Sequence, residues 1–283
     1  MRISTEIASI ARHVGEHKAV EMVAKAGFDC WDFSMFSMCR VNGEMIPQNS
    51  DHPLSGTQYL RFARELKQIG LDNGITCNQS HAPFPVISKE IRSYCYRAIE
   101  CTAEAGGKIC VIHPWNNWSP EENAQMYHSM LPFAKSCGVK IATENMWNWD
   151  QNADQALPAA CSDEQSFLAN LQAVNDDAFV ACLDIGHAEM RGLHTTAEKM
   201  ILALGDKLQA LHLHDNDRHH DSHQLPFTMD IDFDAVVRAL KKIGYQGDLT
   251  LEADRFLQSY TADTVAQGVA EMAKCAHRIR DMF

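Results

Sequence analysis

Eight times along this chain, a short apolar run ends in a residue that can bind a metal or move a proton. The runs lie near residues 2–5, 28–33, 75–80, 108–113, 139–144, 179–184, 208–214 and 248–252. They lead into Thr5-Glu6, Asp32, His81, His113, Glu144, Asp184 with His187 just after, His214 and Glu252. The intervening segments carry helical apolar spacing, as in Tyr59, Phe62, Ala63, Leu66 and Ile69, or Phe233, Val236, Val237, Leu240 and Ile243. Eight strands alternating with helices in 283 residues predict an α/β protein, a (β/α)8 barrel with one domain over residues 1–283. A doubly wound open sheet is disfavoured, because no GxGxxG or P-loop follows any strand.

Local punctuation agrees. Gly27, Gly74, Gly107, Gly138, Gly205 and Gly244 fall where a helix should end and a strand begin. Ser119-Pro120-Glu121-Glu122 reads as an N-cap, a first-turn proline and a capping-box glutamate. Ser162 with Gln165 and Thr195 with Glu198 offer the same box.

In such a barrel all strand ends share the face where active sites sit. Charged groups there are costly to bury unless paired or bound to metal. Glu144, Asp184, His214 and Glu252 form the core of the expected site: three carboxylates and one imidazole. That donor set suits one divalent ion, Mn, Mg, Co or Zn. His212 points to the same side as His214 and is read either as a ligand or as a hydrogen-bonded core histidine. His214 is preferred because it lies nearer the open end. His81, His113, Asp221 and His223 would extend the site toward a second or third metal or bind substrate hydroxyls. His187 can reach a substrate beside the metal.

Trp115, Trp118, Trp147 and Trp149 follow strands four and five, beside Pro114 and Asn145. They read as an aromatic wall for a sugar or as loop residues packing on one another. Asp150 could reach a substrate hydroxyl, and Arg218 could hold a carboxylate, phosphate or hydroxyl.

Composition narrows the partners. The formal charge of −12 repels phosphate backbones, so nucleic acid is not the expected partner. No apolar run is long enough for a membrane helix. The N-terminal segment lacks a basic region followed by a long apolar core, so a cytoplasmic protein is expected. Ten irregularly spaced cysteines without a CxxC pair read as reduced, buried residues.

Glu144-Asn145, Asp184-Ile185-Gly186-His187, His212-Leu213-His214-Asp215-Asn216-Asp217 and Leu251-Glu252 occur in this order at these strand ends. The set resembles the xylose-isomerase-like TIM barrels, the sugar phosphate isomerase/epimerase group, across essentially the whole chain. In the ketose epimerases of that group, the residues matching Glu144, Asp184, His214 and Glu252 bind one divalent cation. The two glutamates also move protons, and the match to His187 contacts substrate. Their substrate-binding arginine lies further beyond the metal histidine than Arg218 does. The group includes endonuclease IV, a trinuclear zinc enzyme acting on abasic DNA. Its ligand set resembles His81, His113, Glu144, Asp184, His187, His214, Asp221, His223 and Glu252. The acidic charge, the lack of basic inserting loops and the short stretch from His214 to Asp221 weigh against that activity. Inosose dehydratases and subunits of C-glycoside-cleaving enzymes also belong to the group, and homo-oligomers are common in it.

The expected function is therefore a metal-dependent sugar or polyol isomerase/epimerase working through a metal-stabilised enediolate, with Glu144 and Glu252 as proton carriers. A lyase or dehydratase on a cyclitol or keto-sugar is the alternative, as is a multi-zinc phosphodiesterase. A barrel that binds without turnover ranks last. No Gly-rich phosphate cradle is legible, which favours an unphosphorylated substrate.

Overall fold

Each expected run contains or overlaps one parallel strand. In the computed structural model, which describes residues 1–43, 47–48 and 50–283, these are β1 (Ile3–Thr5), β2 (Cys30–Ser34), β3 (Thr76–His81), β4 (Ile109–Val111), β5 (Lys140–Glu144), β6 (Phe179–Asp184), β7 (Leu208–His212) and β8 (Leu249–Leu251). Strands β2 to β7 pair in chain order, and β1 pairs with β8. Parallel bridges Glu6–Asp32 and Leu213–Leu251 join the two sets into a ring. The fold is the expected (β/α)8 barrel.

The helices are amphipathic for the reason their spacing implied. The helix Tyr59–Asp72 buries Phe62, Ala63 and Leu66, and Phe233–Ile243 buries Phe233, Val236, Val237 and Leu240. The Ser119 capping box forms as expected, with Glu122 bonding back to the Ser119 N–H. The other two helices start one residue later than the spacing suggested. Asp163 caps the first, with Ser166 completing the box. Thr196 caps the second, while the Thr195 hydroxyl donates to Glu164 Oε2 at 2.9 Å. Gly106, at φ 94°, takes the left-handed position expected of Gly107. Gly107 is needed instead for its close approach to Thr102 and Cys77.

The barrel interior is more polar than apolar runs imply. Ser4 Oγ donates to Asn78 Oδ1 at 2.8 Å, and Asn78 Nδ2 donates to Thr250 Oγ1 at 3.0 Å. Thr250 Oγ1 donates to Gln79 Oε1 at 3.3 Å, and Gln79 Nε2 donates to Asp32 Oδ2 at 2.9 Å. This chain crosses four strands, and each member is satisfied, so its burial is tolerable. It ends directly below the cluster of strand-end carboxylates.

After β5 the chain forms a hairpin that the sequence did not announce, pairing Trp147–Asp150 with Gln155–Pro158. The ten cysteines are all unpaired, and nine are buried. Among the described residues, no helix is long and apolar enough to cross a membrane.

Candidate metal centre

Strand register decides which side chains meet. Asp184 on β6 lies opposite His212 on β7, and Glu144 on β5 lies opposite Cys182 on β6. Glu144, Asp184, His212 and Glu252 each offer one ligand atom, all within 4.8 Å of one another. His212 Nδ1 is 3.1 Å from Glu144 Oε1 and 3.1 Å from Glu252 Oε2. The histidine seated among these three carboxylates is thus His212, where the sequence favoured His214. The two share a face, but two residues advance a strand by about 6.6 Å. Only His212 is level with Asp184. His214 sits above, with Nε2 2.9 Å from Asp184 Oδ1.

Two further groups adjoin this tetrad. His81, His113 and Glu144 form one, and Asp184, His187, His214 and His223 form the other. Asp221 joins the second group, with Oδ2 3.4 Å from His187 Nε2 and 3.1 Å from His223 Nε2.

Three observations show that these residues fit divalent metal. First, several imidazoles use Nδ1 on a backbone carbonyl: His81 on Ala82 at 3.0 Å, His187 on Asn145 at 2.8 Å, and His223 on Glu252 at 2.8 Å. That bond fixes the ring and turns Nε2 inward, as in metal-ligating histidines. Second, Glu144 Oε2 and Asp221 Oδ1 are buried without a hydrogen bond. The nitrogens nearest Glu144 Oε2, His113 Nε2 at 3.2 Å and His81 Nε2 at 3.5 Å, are close but poorly aligned. Third, His81 Nε2 and His113 Nε2 lie 2.8 Å apart, two nitrogens converging on one point.

Electrostatics agree. Burial pushes the carboxyls of Glu144, Glu252 and Asp221 up, but the surrounding histidines overcome it and hold all three below the usual range. Burial pushes His187, His212 and His223 down, and the carboxylates overcome it, His223 reaching about 10. His113 is the exception, lowered by burial and by its neighbour His81. Protons on histidine thus balance the carboxylates, and a divalent ion can replace those protons.

The strand ends open into a cavity of about 410 Å³. Glu144, Glu252, His81, His113, His187, Asp221 and His223 lie on its floor, and Phe36, Phe84, Trp115 and Trp147 form its walls. Phe84 stacks on His113 with ring centres 4.8 Å apart, and Phe36 meets His81 edge-on at 4.8 Å.

Some expected contacts are absent. Asp150 accepts from the N–H groups of Asn152 at 2.8 Å and Ala153 at 3.1 Å, so it caps the hairpin turn rather than facing the cavity. Arg218, with φ at 59°, turns toward Glu189, with Nη2 3.7 Å from Oε2. Trp118 and Trp149 are outside the lining. Sequence reasoning placed Glu6 at a strand end and missed Phe36, Phe84, Asp254 and Arg255. Phe36, Phe84 and Arg255 stand just past a strand end, the same signal that singled out Trp115.

Gly186 owes its place to close approach: a Cβ built there would overlap the His214 ring. Asn216 Nδ2 pins the Gly186 carbonyl at 2.9 Å, so the backbone cannot easily yield. Gly186→Ala is expected to cost about 1–3 kcal/mol, the usual cost of overpacking, and to displace His214 from Asp184. Urea unfolding checks this, and wild-type stability would contradict it.

Glu6 is a buried carboxyl on the cavity wall, raised to about 7 by burial despite the Ser9 N–H donating to Oε2 at 3.0 Å. Between its ordinary value of 4.5 and about 7, the folded chain keeps a proton that the unfolded chain has lost. Stability from this group is full below the lower value and is lost as pH rises through the upper one. Glu6→Gln is therefore expected to stabilise the protein by roughly 2–3 kcal/mol at about pH 8, the gain fading toward about pH 4. Denaturant unfolding across that range tests it, and a pH-independent difference would refute it.

Comparison with known proteins agrees with this architecture. An uncharacterised protein of Methanocaldococcus jannaschii, MJ1311, is 25% identical over 252 residues, 83% of this chain and 78% of that one. The IolI protein with a bound zinc atom superposes with a TM-score of 0.74 at 18% identity, covering 100% of this chain and 99% of that one. D-allulose 3-epimerase from Methylomonas sp. gives 0.71 at 16% identity, covering 100% and 98%. At those identities the two structures speak for the fold alone. The model of the xylose isomerase-like TIM barrel matches residues 20–275, and the chain belongs to that family.

Proposed function

We infer that the protein is a divalent-metal-dependent isomerase or epimerase of a small sugar, keto-sugar or polyol. The observation that carries this reading is the placement of Glu144 and Glu252. They face each other across His212, each 3.1 Å from Nδ1, on the floor of an aromatic-walled cavity. About 410 Å³ accommodates a monosaccharide-sized ligand. The zinc bound by IolI and the ketose epimerase activity named for structural neighbours support the reading.

Glu144, Asp184, His212 and Glu252 would hold the cation, Mn, Mg, Co or Zn, with His214 above them. When bound, it supplies Lewis-acid polarisation of a substrate carbonyl. Glu144 and Glu252, both ionised, are ready to accept a proton from the carbon beside that carbonyl. Return of the proton to the neighbouring carbon from the same face gives an isomer. Delivery from the opposite face by the other glutamate gives an epimer. His187, with Nδ1 fixed on the Asn145 carbonyl, is placed to hold a substrate hydroxyl or a further cation. Phe36, Phe84, Trp115 and Trp147 exclude water and stack on a sugar face.

The test is proton exchange in deuterated water, using metal-loaded protein with D-fructose, D-tagatose, D-psicose and inososes. Deuterium at the carbon next to the carbonyl is expected for at least one of them. A dehydratase would show the same exchange together with loss of water.

One observation favours a second reading, multi-metal phosphodiester hydrolysis. The His81–His113–Glu144 and Asp184–His187–His214–His223 groups flank the tetrad and could hold further ions. The small cavity and the −12 charge fit DNA poorly. Cleavage of an abasic oligonucleotide, with no deuterium exchange on any ketose, would reverse the order of the two readings.

A further inference from the structure

The cavity floor is crowded with carboxylates, yet Arg255 sits on its lining. Among the described residues that line it, Arg255 is the one lysine or arginine. Its neighbour Asp254 is already engaged, 3.4 Å from Arg12 Nη2 and 3.5 Å from His223 Nδ1. Arg218, the arginine that the sequence offered for an anion, is turned to Glu189. Among the described residues, the Arg255 guanidinium has neither a hydrogen-bond nor an ion-pair partner.

We propose that the substrate carries an anionic group, a carboxylate or a phosphate, at the end remote from the reacting carbonyl, and that Arg255 holds it. The proposal rests on the sugar reading above and narrows it to acidic sugars. Reach supports it. Arg255 follows Glu252 by three residues, which span at most roughly 11 Å when extended. The turn at Arg255, φ −86° and ψ −19°, shortens that span. Glu252 and Arg255 line the same cavity, so a six-carbon chain with its carbonyl near Glu252 would have its far end in reach of a long, extended side chain such as that of Arg255. Charge supports it too. A carboxylate-rich protein repels an anionic ligand unless a cation meets it, and the exposed, unpaired guanidinium of Arg255 is free to match carboxylate or phosphate with paired N–H donors. Phe36, Phe84, Trp115 and Trp147 offer an anion no charge, and Arg255 is the one arginine or lysine of the described lining that can meet it.

The experiment is isothermal titration of metal-loaded protein with D-fructose and D-tagatose. Each is compared with its 6-phosphate and with its uronate, D-fructuronate or D-tagaturonate. At least one anionic sugar is expected to bind about 10-fold more tightly than its neutral parent. Arg255→Gln should collapse that ratio toward one, and Arg255→Lys should restore part of it. Preference for the uronate over the phosphate would assign a carboxylate, and the reverse a phosphate. Equal binding of neutral and anionic forms, or a ratio unchanged in Arg255→Gln, overturns the proposal and leaves the sugar reading standing. Binding of none of the sugars overturns both.

Discussion

Glu252→Gln and Glu144→Gln are each expected to lower kcat by roughly 10²–10⁴-fold, the usual worth of a positioned proton carrier. Glutamine keeps the shape of the side chain but cannot take a proton from carbon. The two losses should differ in degree. Glu252 meets His212 at 3.1 Å and belongs to two of the five candidate ligand groups. Its loss should stop proton exchange and take one donor from the tetrad. Glu144 meets His212, His113 and His81 together and belongs to three of the five candidate ligand groups. Its loss should weaken metal binding more than the loss of Glu252 does. Steady-state rates, deuterium exchange and metal content, measured on both variants, separate these effects. Full turnover in either variant would remove that glutamate from the mechanism.

The strand ends were readable because a barrel imposes one rule on all of them. A polar residue closing a buried strand has only the C-terminal face to occupy, so eight endings in sequence become one ring in space. Height along the strand was not readable. His212 and His214 obey the same alternation, and only the pairing of Asp184 with His212 distinguishes them. Loop residues were readable where they stand next to a strand end, as Trp115 does. They were not readable where a local turn redirects the chain. Asp150 is consumed by the hairpin turn, and Arg218 is carried away by its positive φ. Neither outcome follows from residue type, because both depend on hydrogen bonds made after the loop folds. The buried Ser4–Asn78–Thr250–Gln79–Asp32 chain was hidden for a related reason. Each member looks like an ordinary polar interruption until four strands bring them together.

Removing His212 and removing His214 should have unequal consequences for metal. His212→Ala takes one donor from the only group that combines three carboxylates with an imidazole among the described residues. A lost ligand should cost more than the roughly 10–100-fold typical of a supporting residue, so a drop of at least about 100-fold in affinity is expected. His214→Ala leaves that group whole and should instead strip the outer group with His187 and His223. Elemental analysis of protein purified without chelator, followed by metal titration of both variants, makes the comparison. If one ion per chain is found and only His212→Ala loses it, the inner tetrad is the site and proton transfer remains the leading chemistry. If two or three are found, with His214→Ala losing a subset, His81, His113, Asp221 and His223 are ligands as well. The carboxylates would then be bridging ions rather than moving protons, and hydrolysis would become the better account. Greater loss of the first ion from His214→Ala would mean that the tetrad rearranges when metal binds. The geometry resists that outcome, because His212 Nε2 faces Asp32 Oδ2 at 3.7 Å and Asp32 is itself bonded to Gln79. With Nε2 turned toward Asp32, Nδ1 is aimed at the carboxylates, and that aim is the reason to expect the inner site to fill first.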